Sequence, residues 1–355
     1  MLNEEKIKNF LLKKYYKELR ATRQLRTATV EILNACNFKC VHCYNQNLKT
    51  CIMPKELFFN IVDQLTNLGC KNITITGGEP TLHPDFKQIY KYCFDKGLKI
   101  TLYTNGYYLN KFFDFLKTNT PETIDISIYG TTNKTYKNVC QIDDAFDTVD
   151  KNIKSLQKLK IKTTLKSVIM KQNHKEFDDM LNYCKNLNLD FRFDLNLLNS
   201  KDDSNDQSDN ILNDDQYNHI MEEVSLLKTG NWISFLTREN MQSNSDRLYS
   251  CGAGYTSLFI NCFGGVRLCN FAGFSEENIK EKSLNEIWKN FEKYLKLEKD
   301  KSSRCYNCIY KKFCAICPVI TYTKHKTDGT VILPVMQNCR EAKFIFDKVK
   351  NAKEK

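Results

Sequence analysis

Three cysteines within eight positions are the most chemically distinctive feature of this sequence. Cys36, Cys40 and Cys43 lie in the segment CNFKCVHC, with three and two residues between them. Thiolates at such short spacing bind metals, and an iron–sulfur cluster usually takes four of them. His42 lies inside the triplet, and a zinc site built from three cysteines and one histidine would use the same residues. The segment therefore predicts a metal centre and leaves iron–sulfur and zinc open.

Polar residues recur where successive predicted strands end. The segment GGEP begins at Gly77, and its paired glycines let the backbone approach a ligand while Glu79 offers a carboxylate. Thr104 ends the next strand, and Ser127 lies near the end of the one after it. Ligands of parallel α/β sheets bind at the carboxyl ends of the strands, so these residues predict a binding site there. Capping of strand ends is the alternative role of Thr104 and Ser127.

A second cysteine-rich pattern lies in the C-terminal third of the chain. Its seven members are Cys251, Cys269, Cys305, Cys308, Cys314, Cys317 and Cys339. Clustered cysteines in a reducing compartment more often bind metal than form disulfides. Pairs with the spacing CxxC are also typical of zinc ribbons, so zinc stays an alternative for this region.

The elements that must position these residues alternate between short β-rich runs and longer amphipathic ones. We predict strands at 27–33, 72–76, 99–104, 123–129, 162–170 and 190–198, and helices at 54–69, 85–97, 143–159 and 175–188. Such alternation predicts a parallel α/β sheet, either an open barrel or a doubly wound sheet. Further helices are predicted at 4–26, 216–228, 284–297 and 340–350, and a solvated loop or lid at 201–215.

Length and composition limit the class of protein. A chain of 355 residues with 41% hydrophobic content can build one large domain and a smaller one. It has no run of eighteen apolar residues and no N-terminal segment resembling a signal peptide, so we expect a cytoplasmic protein without a membrane span. The net charge of +11 comes from lysines spread along the whole chain. That distribution favours a basic surface over a nucleic-acid partner.

CNFKCVHC after the first strand and GGEP after the second together resemble the radical S-adenosylmethionine (radical SAM) superfamily. The resemblance covers about residues 27 to 200 and implies an α/β fold, a partial (β/α)6 TIM-like barrel. It implies that Cys36, Cys40 and Cys43 hold a [4Fe–4S] cluster whose fourth iron is left open for SAM. Reductive cleavage of SAM would then give a 5′-deoxyadenosyl radical that abstracts a substrate hydrogen.

The same resemblance implies positions for the parts of SAM. The methionine amino end is expected at the GGEP segment, which consists of Gly77, Gly78, Glu79 and Pro80. The ribose or the carboxylate is expected near Thr104 and Ser127, and the adenine near His42.

The C-terminal cysteines resemble the SPASM extension of radical SAM enzymes, a small α+β region that usually binds two auxiliary [4Fe–4S] clusters. The resemblance assigns one cluster to Cys251, Cys269 and Cys317, and the other to Cys305, Cys308, Cys314 and Cys339. The first set has three ligands, so its fourth is either Cys262 or an open iron position. The last local pair also departs from the family pattern, because two residues separate its cysteines where three are commoner.

These patterns divide the chain into four predicted parts. They are an N-terminal amphipathic helix at 1–26, a radical SAM core at 27–228, a SPASM domain at 229–340 and a C-terminal helix at 341–355. The remaining cysteines lie mostly in helical or strand patterns, where cysteine behaves as a small buried hydrophobe. We interpret Cys51, Cys70, Cys93, Cys140 and Cys184 as structural.

The expected substrate is a ribosomally made peptide or protein that undergoes a crosslink, thioether or oxidation. Sulfatase-maturating relatives carry an aspartate base directly after the second SPASM cysteine, where this chain has Asn270, which cannot accept a proton in that way. The alternatives are a radical SAM dehydrogenase of a small molecule, such as a sugar or antibiotic precursor, and a non-catalytic metal-binding interaction protein. The expected electron donor is a protein such as flavodoxin or ferredoxin. Only 35 residues precede Cys36, too few for the leader-recognition domain of many relatives, so a peptide leader would be bound by the short basic helix at 4–26, by the SPASM domain or by a separate leader-binding protein.

Overall fold

The computed structural model describes residues 18–45, 49–201, 206–227 and 246–353. Most of the helix predicted at 4–26 and part of the loop predicted at 201–215 lie outside these ranges. Residues 18–22 are helical, and side chains there contact the C-terminal region. The Arg20 guanidinium lies 4.3 Å from the centre of the Tyr255 ring, and Arg23 donates a hydrogen bond of 2.6 Å to the Trp288 carbonyl. The described end of this segment therefore packs on the protein rather than projecting from it.

The strands of the described residues form one nine-stranded sheet, with the order β6-β5-β4-β3-β2-β1-β7-β8-β9. Strands β1 to β6 are parallel and neighbour one another in chain order, which confirms the predicted parallel α/β sheet. Their bounds are β1 Thr27–Glu31, β2 Asn72–Thr76, β3 Lys99–Thr104, β4 Thr123–Ser127, β5 Thr163–Val168, β6 Asp190–Asp194, β7 Ser257–Ile260, β8 Gly265–Arg267 and β9 Glu277–Asn278.

Helices connect the parallel strands and continue into the C-terminal region. They are α1 Lys55–Asn67, α2 Phe86–Asp95, α3 Phe113–Thr118, α4 Asn133–Cys140, α5 Ala145–Lys158, α6 Phe177–Asn186, α7 Asp214–Leu227, α8 Leu284–Asn290, α9 Glu292–Leu295, α10 Pro318–His325 and α11 Met336–Lys353. In the described ranges, no helix is both long enough and apolar enough to cross a membrane.

Helix α1 shows how the connecting helices attach to the sheet. Its buried residues are Phe58, Ile61, Val62 and Leu65, which follow the helical spacing of three and four. Burying one such side chain stabilises the fold by about 1.5–3 kcal/mol. The helix ends before Gly69, whose φ of +87° lets the chain turn back into the sheet.

The two faces of the parallel strands differ in polarity. On β1 and just after it, Ala28, Val30 and Ile32 are fully buried. The alternate residues Thr29 and Glu31 point to the opposite face, because side chains of a strand alternate between the faces of a sheet. Polar side chains on that face leave it suited to a polar ligand rather than to a second layer of helices.

The C-terminal cysteine-rich region joins the same sheet. Strand β7 pairs with β1 in parallel, with Thr27 opposite Ser257 and Val30 opposite Ile260. Strands β8 and β9 then continue the sheet in antiparallel pairs. The sheet therefore runs across the predicted boundary at residue 228, and the four-part division remains a prediction.

Several elements differ from the sequence predictions. Helices α3, α4 and α10 were not predicted, although Thr132 caps α4 by accepting a hydrogen bond from the Thr135 backbone N–H and a proline begins α10. The helix predicted at 284–297 is divided at Phe291 into α8 and α9. The last helix is longer than predicted, and β6 ends at Asp194 rather than at 198.

Candidate functional site

The cysteine triplet lies in the loop after β1, with hydrogen-bonding groups around its sulfur atoms. The Asn105 side-chain amide lies 3.7 Å from the Cys36 sulfur, and the Cys40 thiol donates to the Tyr129 hydroxyl at 3.5 Å. The backbone N–H of Asn45 donates to the Cys43 sulfur at 3.4 Å. Hydrogen bonds to sulfur are typical of iron–sulfur sites, where they tune the cluster. Sequence reasoning missed Asn105 and Tyr129, although Asn105 follows Thr104 in the TNG segment.

Burial decides the protonation of these thiols. It raises the pKa of Cys36 to about 12 and also raises the pKa of Cys40 and of Cys43. The three groups are close enough to disfavour one another's charged forms. Without a cation the loop therefore holds thiols, and a bound metal would be what turns them into thiolates.

The donor chemistry of the triplet bears on the choice between zinc and a cluster. In the part of the chain that the structure describes, no three histidine, cysteine, aspartate or glutamate donors are positioned to hold a single metal ion. A structural zinc ion needs four donors converging on one point. An iron–sulfur cluster takes its thiolates on different irons, so its ligands surround a larger object. Three thiols on one loop are donors of the kind that such a cluster takes.

The two glycines of GGEP let β2 approach the loop that carries the cysteines. A Cβ on Gly77 would lie 2.5 Å from the Leu33 carbonyl oxygen, and one on Gly78 would lie 2.3 Å from that of Ala35. The backbone N–H of Gly78 donates to Leu33 at 2.8 Å. Only glycine fits this contact, which fixes the loop against the end of β2.

The Glu79 carboxylate joins the ends of β2 and β3. It is fully buried, and Oε1 accepts hydrogen bonds from the backbone N–H and the hydroxyl of Thr81 and, at 2.8 Å, from the hydroxyl of Thr104. Oε2 accepts the Asn105 N–H at 2.7 Å. Burial raises the pKa of Glu79, while these bonds oppose the rise. Both oxygens of this carboxylate thus accept hydrogen bonds from the protein. Pro80 follows Glu79 as the first residue of a 3₁₀ turn over Pro80–Leu82.

Thr104 and Ser127 lie at the predicted strand ends in different environments. Thr104 is buried, and its hydroxyl also accepts the Gly106 N–H at 3.0 Å, so it serves the β3 turn. Ser127 is partly exposed, and its hydroxyl lies beside that of Tyr129. The Ser127 hydroxyl thus interacts with Tyr129, which also contacts Cys40, whereas the Thr104 hydroxyl serves Glu79 and the β3 turn.

His42 lies against Tyr129, with ring centres 5.3 Å apart. Burial lowers the pKa of His42 to about 4, so its imidazole is neutral at pH 7. Its Nδ1 atom is enclosed and has no hydrogen-bond partner. A neutral ring with an unpartnered nitrogen fits contact with a ligand better than a charged role.

The first C-terminal cysteine set comes together in space. The Cys269 thiol lies within electrostatic reach of Cys251 and Cys317, and Cys317 within reach of Cys251. Burial raises the pKa of Cys269 to about 12 and that of Cys317 to about 11. The Cys262 thiol instead contacts Cys51 and a glutamate. This placement favours the open iron position over Cys262 as the fourth ligand.

The second set gathers around the start of α11. Cys305 lies within electrostatic reach of Cys308 and Cys339, and Cys314 within reach of all three. Burial raises the pKa of Cys314 to about 11. The chain thus supplies three thiols in one place and four in another, which fits two auxiliary clusters. The ligand assignment itself remains a prediction.

A buried ion pair lies between the triplet and the C-terminal region. Glu31 at the end of β1 lies 3.3 Å from Lys201, and the Asn45 side-chain amide donates to the same carboxylate oxygen at 3.1 Å. Burial lowers the pKa of Lys201, while Glu31 opposes this. The Lys201 ammonium also lies 5.0 Å from the centre of the Tyr44 ring. Sequence reasoning missed this pair because its members are 170 residues apart.

Asn270 lies on the other side of Tyr44. The hydroxyl of Tyr44 contacts the Asn270 side chain, and its ring packs edge-on against Phe271 with centres 5.0 Å apart. Tyr44 thus connects the triplet loop to the residues that follow Cys269.

Two family models match this chain. The radical SAM superfamily model matches residues 30–184, and the SPASM model, an iron–sulfur cluster-binding domain, matches residues 251–309. The first range includes the triplet and GGEP, and the second includes four of the seven C-terminal cysteines, namely Cys251, Cys269, Cys305 and Cys308.

Two curated relatives match over most of this chain. The AdoMet-dependent heme synthase of Methanosarcina barkeri is 24% identical over 329 residues, which cover 85% of this chain and 93% of that protein. The antilisterial bacteriocin subtilosin biosynthesis protein AlbA of Bacillus subtilis is 27% identical over 276 residues, which cover 74% of this chain and 59% of that protein. The chain therefore spans less than two thirds of AlbA.

Solved structures of Streptococcus suis SuiB share the fold. The structure bound to S-adenosylmethionine has a TM-score of 0.68 and 20% identity, covering 94% of this chain and 82% of that one. The structure bound to the precursor peptide SuiA has a TM-score of 0.67 and 19% identity, covering 93% and 81%. At this identity the likeness concerns the fold, and it confirms the partial TIM-like barrel followed by a SPASM region.

Proposed function

The chain is a radical SAM superfamily enzyme with a SPASM iron–sulfur domain, and from this premise we propose that its substrate is a ribosomally made peptide or protein. The observation that carries the proposal is the second cysteine-rich region, whose strand β7 pairs directly with β1 of the core. This pairing joins the part of the C-terminal region that lies between Cys251 and Cys269 to the sheet from which the triplet loop extends.

The names of two relatives support a peptide substrate. AlbA is a protein of bacteriocin biosynthesis, and SuiB has been solved with a precursor peptide. The heme synthase relative supports a second candidate, a small-molecule substrate, because it matches over 93% of its own length. Both candidates use the same cofactors and differ in what enters the polar face of the sheet.

We assign the cofactor roles as follows. Cys36, Cys40 and Cys43 hold the SAM cluster, and the C-terminal sets of three and four thiols hold the auxiliary clusters. When bound, these groups supply the one-electron chemistry that breaks a carbon–hydrogen bond. The chain's own part is to orient them: Gly77 and Gly78 fix the loop, and Glu79 holds the neighbouring turns. Reduced thiols are needed throughout, so we place the protein in the cytoplasm with an electron donor of the flavodoxin or ferredoxin type.

The decisive experiment combines anaerobic reconstitution with candidate peptides. Three clusters predict about eleven to twelve irons per chain. The purified protein, reduced in the presence of SAM, is incubated with each short peptide encoded next to its gene. We expect release of 5′-deoxyadenosine and a peptide that has lost the mass of two hydrogen atoms or gained a crosslink. SAM cleavage that no such peptide accelerates but a small molecule does would refute the peptide substrate.

Matched cysteine variants separate chemistry from folding. Cys36→Ala is expected to abolish 5′-deoxyadenosine release, because the cluster loses one of three thiolates. Cys184→Ala removes a buried thiol of α6 and is expected to retain release. Equal loss in both variants would mean that Cys36 acts through stability alone.

A further inference from the structure

The thiols of Cys51 and Cys262 contact each other outside the triplet and the two C-terminal cysteine sets. Cys51 is partly exposed, whereas Cys262 is buried, with 1% of its surface exposed. In this contact the Cys262 thiol donates a hydrogen bond to the Cys51 sulfur. One thiol can therefore be reached from solvent, and the thiol that it contacts is enclosed.

The backbone brings the two cysteines together at one edge of β1. Strand β7 pairs with β1 as far as Ile260, and residues 51–53 then pair with the continuation of β1. The Asn34 N–H donates to the Cys51 carbonyl at 3.1 Å, and Asn34 Oδ1 accepts the Cys51 N–H at 2.8 Å. Cys262 follows Ile260 by two residues, so the two cysteines lie on neighbouring segments. Their contact thus belongs to the sheet rather than to a mobile loop.

The two thiols differ in how readily they ionise. Burial raises the pKa of Cys51, while the hydrogen bond from Cys262 and the positive charges of Lys280 and Lys49 oppose this rise. Burial, the contact with Cys51 and the Glu31 carboxylate all raise the pKa of Cys262. Because the thiolate is the form that attacks a disulfide, Cys51 is the thiol suited to react first.

We propose that Cys51 and Cys262 form a reversible disulfide when the chain meets a low-molecular-weight disulfide such as oxidised glutathione. The Cys51 thiolate attacks one sulfur of the reagent, which leaves a mixed disulfide and releases one glutathione thiol. The Cys262 sulfur then attacks Cys51 and displaces the second glutathione. Its proton passes through the Glu31 carboxylate, to which the Cys262 thiol donates a hydrogen bond, to the leaving thiolate. The chain loses two electrons and two protons, and the reagent becomes two thiols.

This disulfide changes the surroundings of the triplet loop. It removes the S–H group that Cys262 donates to Glu31. The same Glu31 carboxylate accepts the Asn45 side-chain amide at 3.1 Å, and the Asn45 backbone N–H donates to the Cys43 sulfur at 3.4 Å. The dithiol is therefore connected to the triplet through Glu31 and Asn45. The inference concerns the chain's own thiols and stands apart from the proposed peptide substrate.

The test exposes the anaerobically reconstituted full chain to excess oxidised glutathione. The remaining thiols are then alkylated with N-ethylmaleimide in denaturant, and the products are mapped by proteolysis and mass spectrometry. We expect two fewer alkylated thiols and a linked pair of peptides containing Cys51 and Cys262, which dithiothreitol separates. Cys70 and Cys93 are the internal control, because they lie within electrostatic reach of each other but are 1% and 0% exposed. Both should remain thiols.

Single serine variants test the order of the two steps. Cys262→Ser is expected to stop at the mixed disulfide, with one glutathione attached to Cys51. Cys51→Ser is expected to carry no glutathione at Cys262, because that thiol is enclosed. Neither substitution removes a member of the three cysteine sets, so the iron content of both variants should equal that of wild type.

Two results would overturn the proposal. One is a reconstituted wild-type chain in which Cys262 remains a thiol under these conditions, whether or not Cys51 carries glutathione. The other is linking of Cys70 to Cys93 to the same extent as Cys51 to Cys262, which would show that oxidation follows unfolding rather than the native contact.

Discussion

Replacing Glu79 by glutamine tests whether its carboxylate stabilises the fold, by connecting the ends of β2 and β3, or binds a cofactor. The side chain is fully buried and accepts hydrogen bonds from Thr81, Thr104 and Asn105. Glutamine has almost the same shape but has an N–H group in place of one carboxylate oxygen. If that group replaces Oε2, it faces the backbone N–H of Asn105; if it replaces Oε1, it faces that of Thr81. In either orientation an N–H group of the glutamine faces a backbone N–H group, so two hydrogen-bond donors lie against each other.

The expected loss follows from these contacts. One buried backbone N–H loses its charge-assisted hydrogen bond, and the new N–H group of the glutamine is buried without an acceptor, each at about 1–3 kcal/mol. The neutral amide is easier to bury than the carboxylate, which offsets part of this loss. We therefore expect Glu79→Gln to lower the free energy of unfolding by about 2–4 kcal/mol, and Glu79→Ala to lower it more because it leaves every one of these donors unpaired.

Denaturant unfolding under anaerobic conditions measures this change. Glu122→Gln is the matched control, because the Glu122 side chain is 49% exposed and its ion pair with Lys99 spans 3.5 Å. An exposed pair contributes about 0–1 kcal/mol, so the control should lie close to wild type. A Glu79→Gln protein with wild-type stability and weakened SAM binding would refute the structural role and make the carboxylate a ligand.

Three further predictions concern other parts of the site. Gly78→Ala should prevent correct folding of the triplet loop, because its Cβ would lie 2.3 Å from a backbone oxygen, and the iron content should fall. Gly97→Ala is the control: its Cβ would meet no atom within 4 Å, but its φ of +72° is strained for alanine, so this variant should lose stability and keep its iron. Cys305→Ala should reduce iron by about four per chain while sparing SAM cleavage more than product formation, and unchanged iron would exclude Cys305 as a ligand. Burial would raise the pKa of Glu176, but hydrogen bonds from three threonine side chains and a backbone N–H lower it overall. Its stabilising contribution is therefore complete above the unfolded pKa of about 4.3 and is lost as the pH falls through the lower folded value, so Glu176→Gln should flatten the acid side of the stability profile.

Local patterns along the chain predicted much of the framework. The bounds of β2 and β3 agree with the predicted 72–76 and 99–104, because each is a short β-rich run that ends at a turn specified by local residues. The order of strands and helices also follows from such periods. The triplet and GGEP could be recognised because both are short segments whose function depends on spacing.

Tertiary structure decided which distant residues meet. In the sequence the Glu79 carboxylate has no visible partner, but in the structure it accepts hydrogen bonds from Thr104 and Asn105 at the end of β3. The neighbours of Cys262 were not evident from the sequence, and the fold places its thiol beside Cys51 and Glu31. Periodicity reports only which face of an element is buried, whereas the satisfaction of hydrogen bonds depends on which loops the sheet brings to one edge.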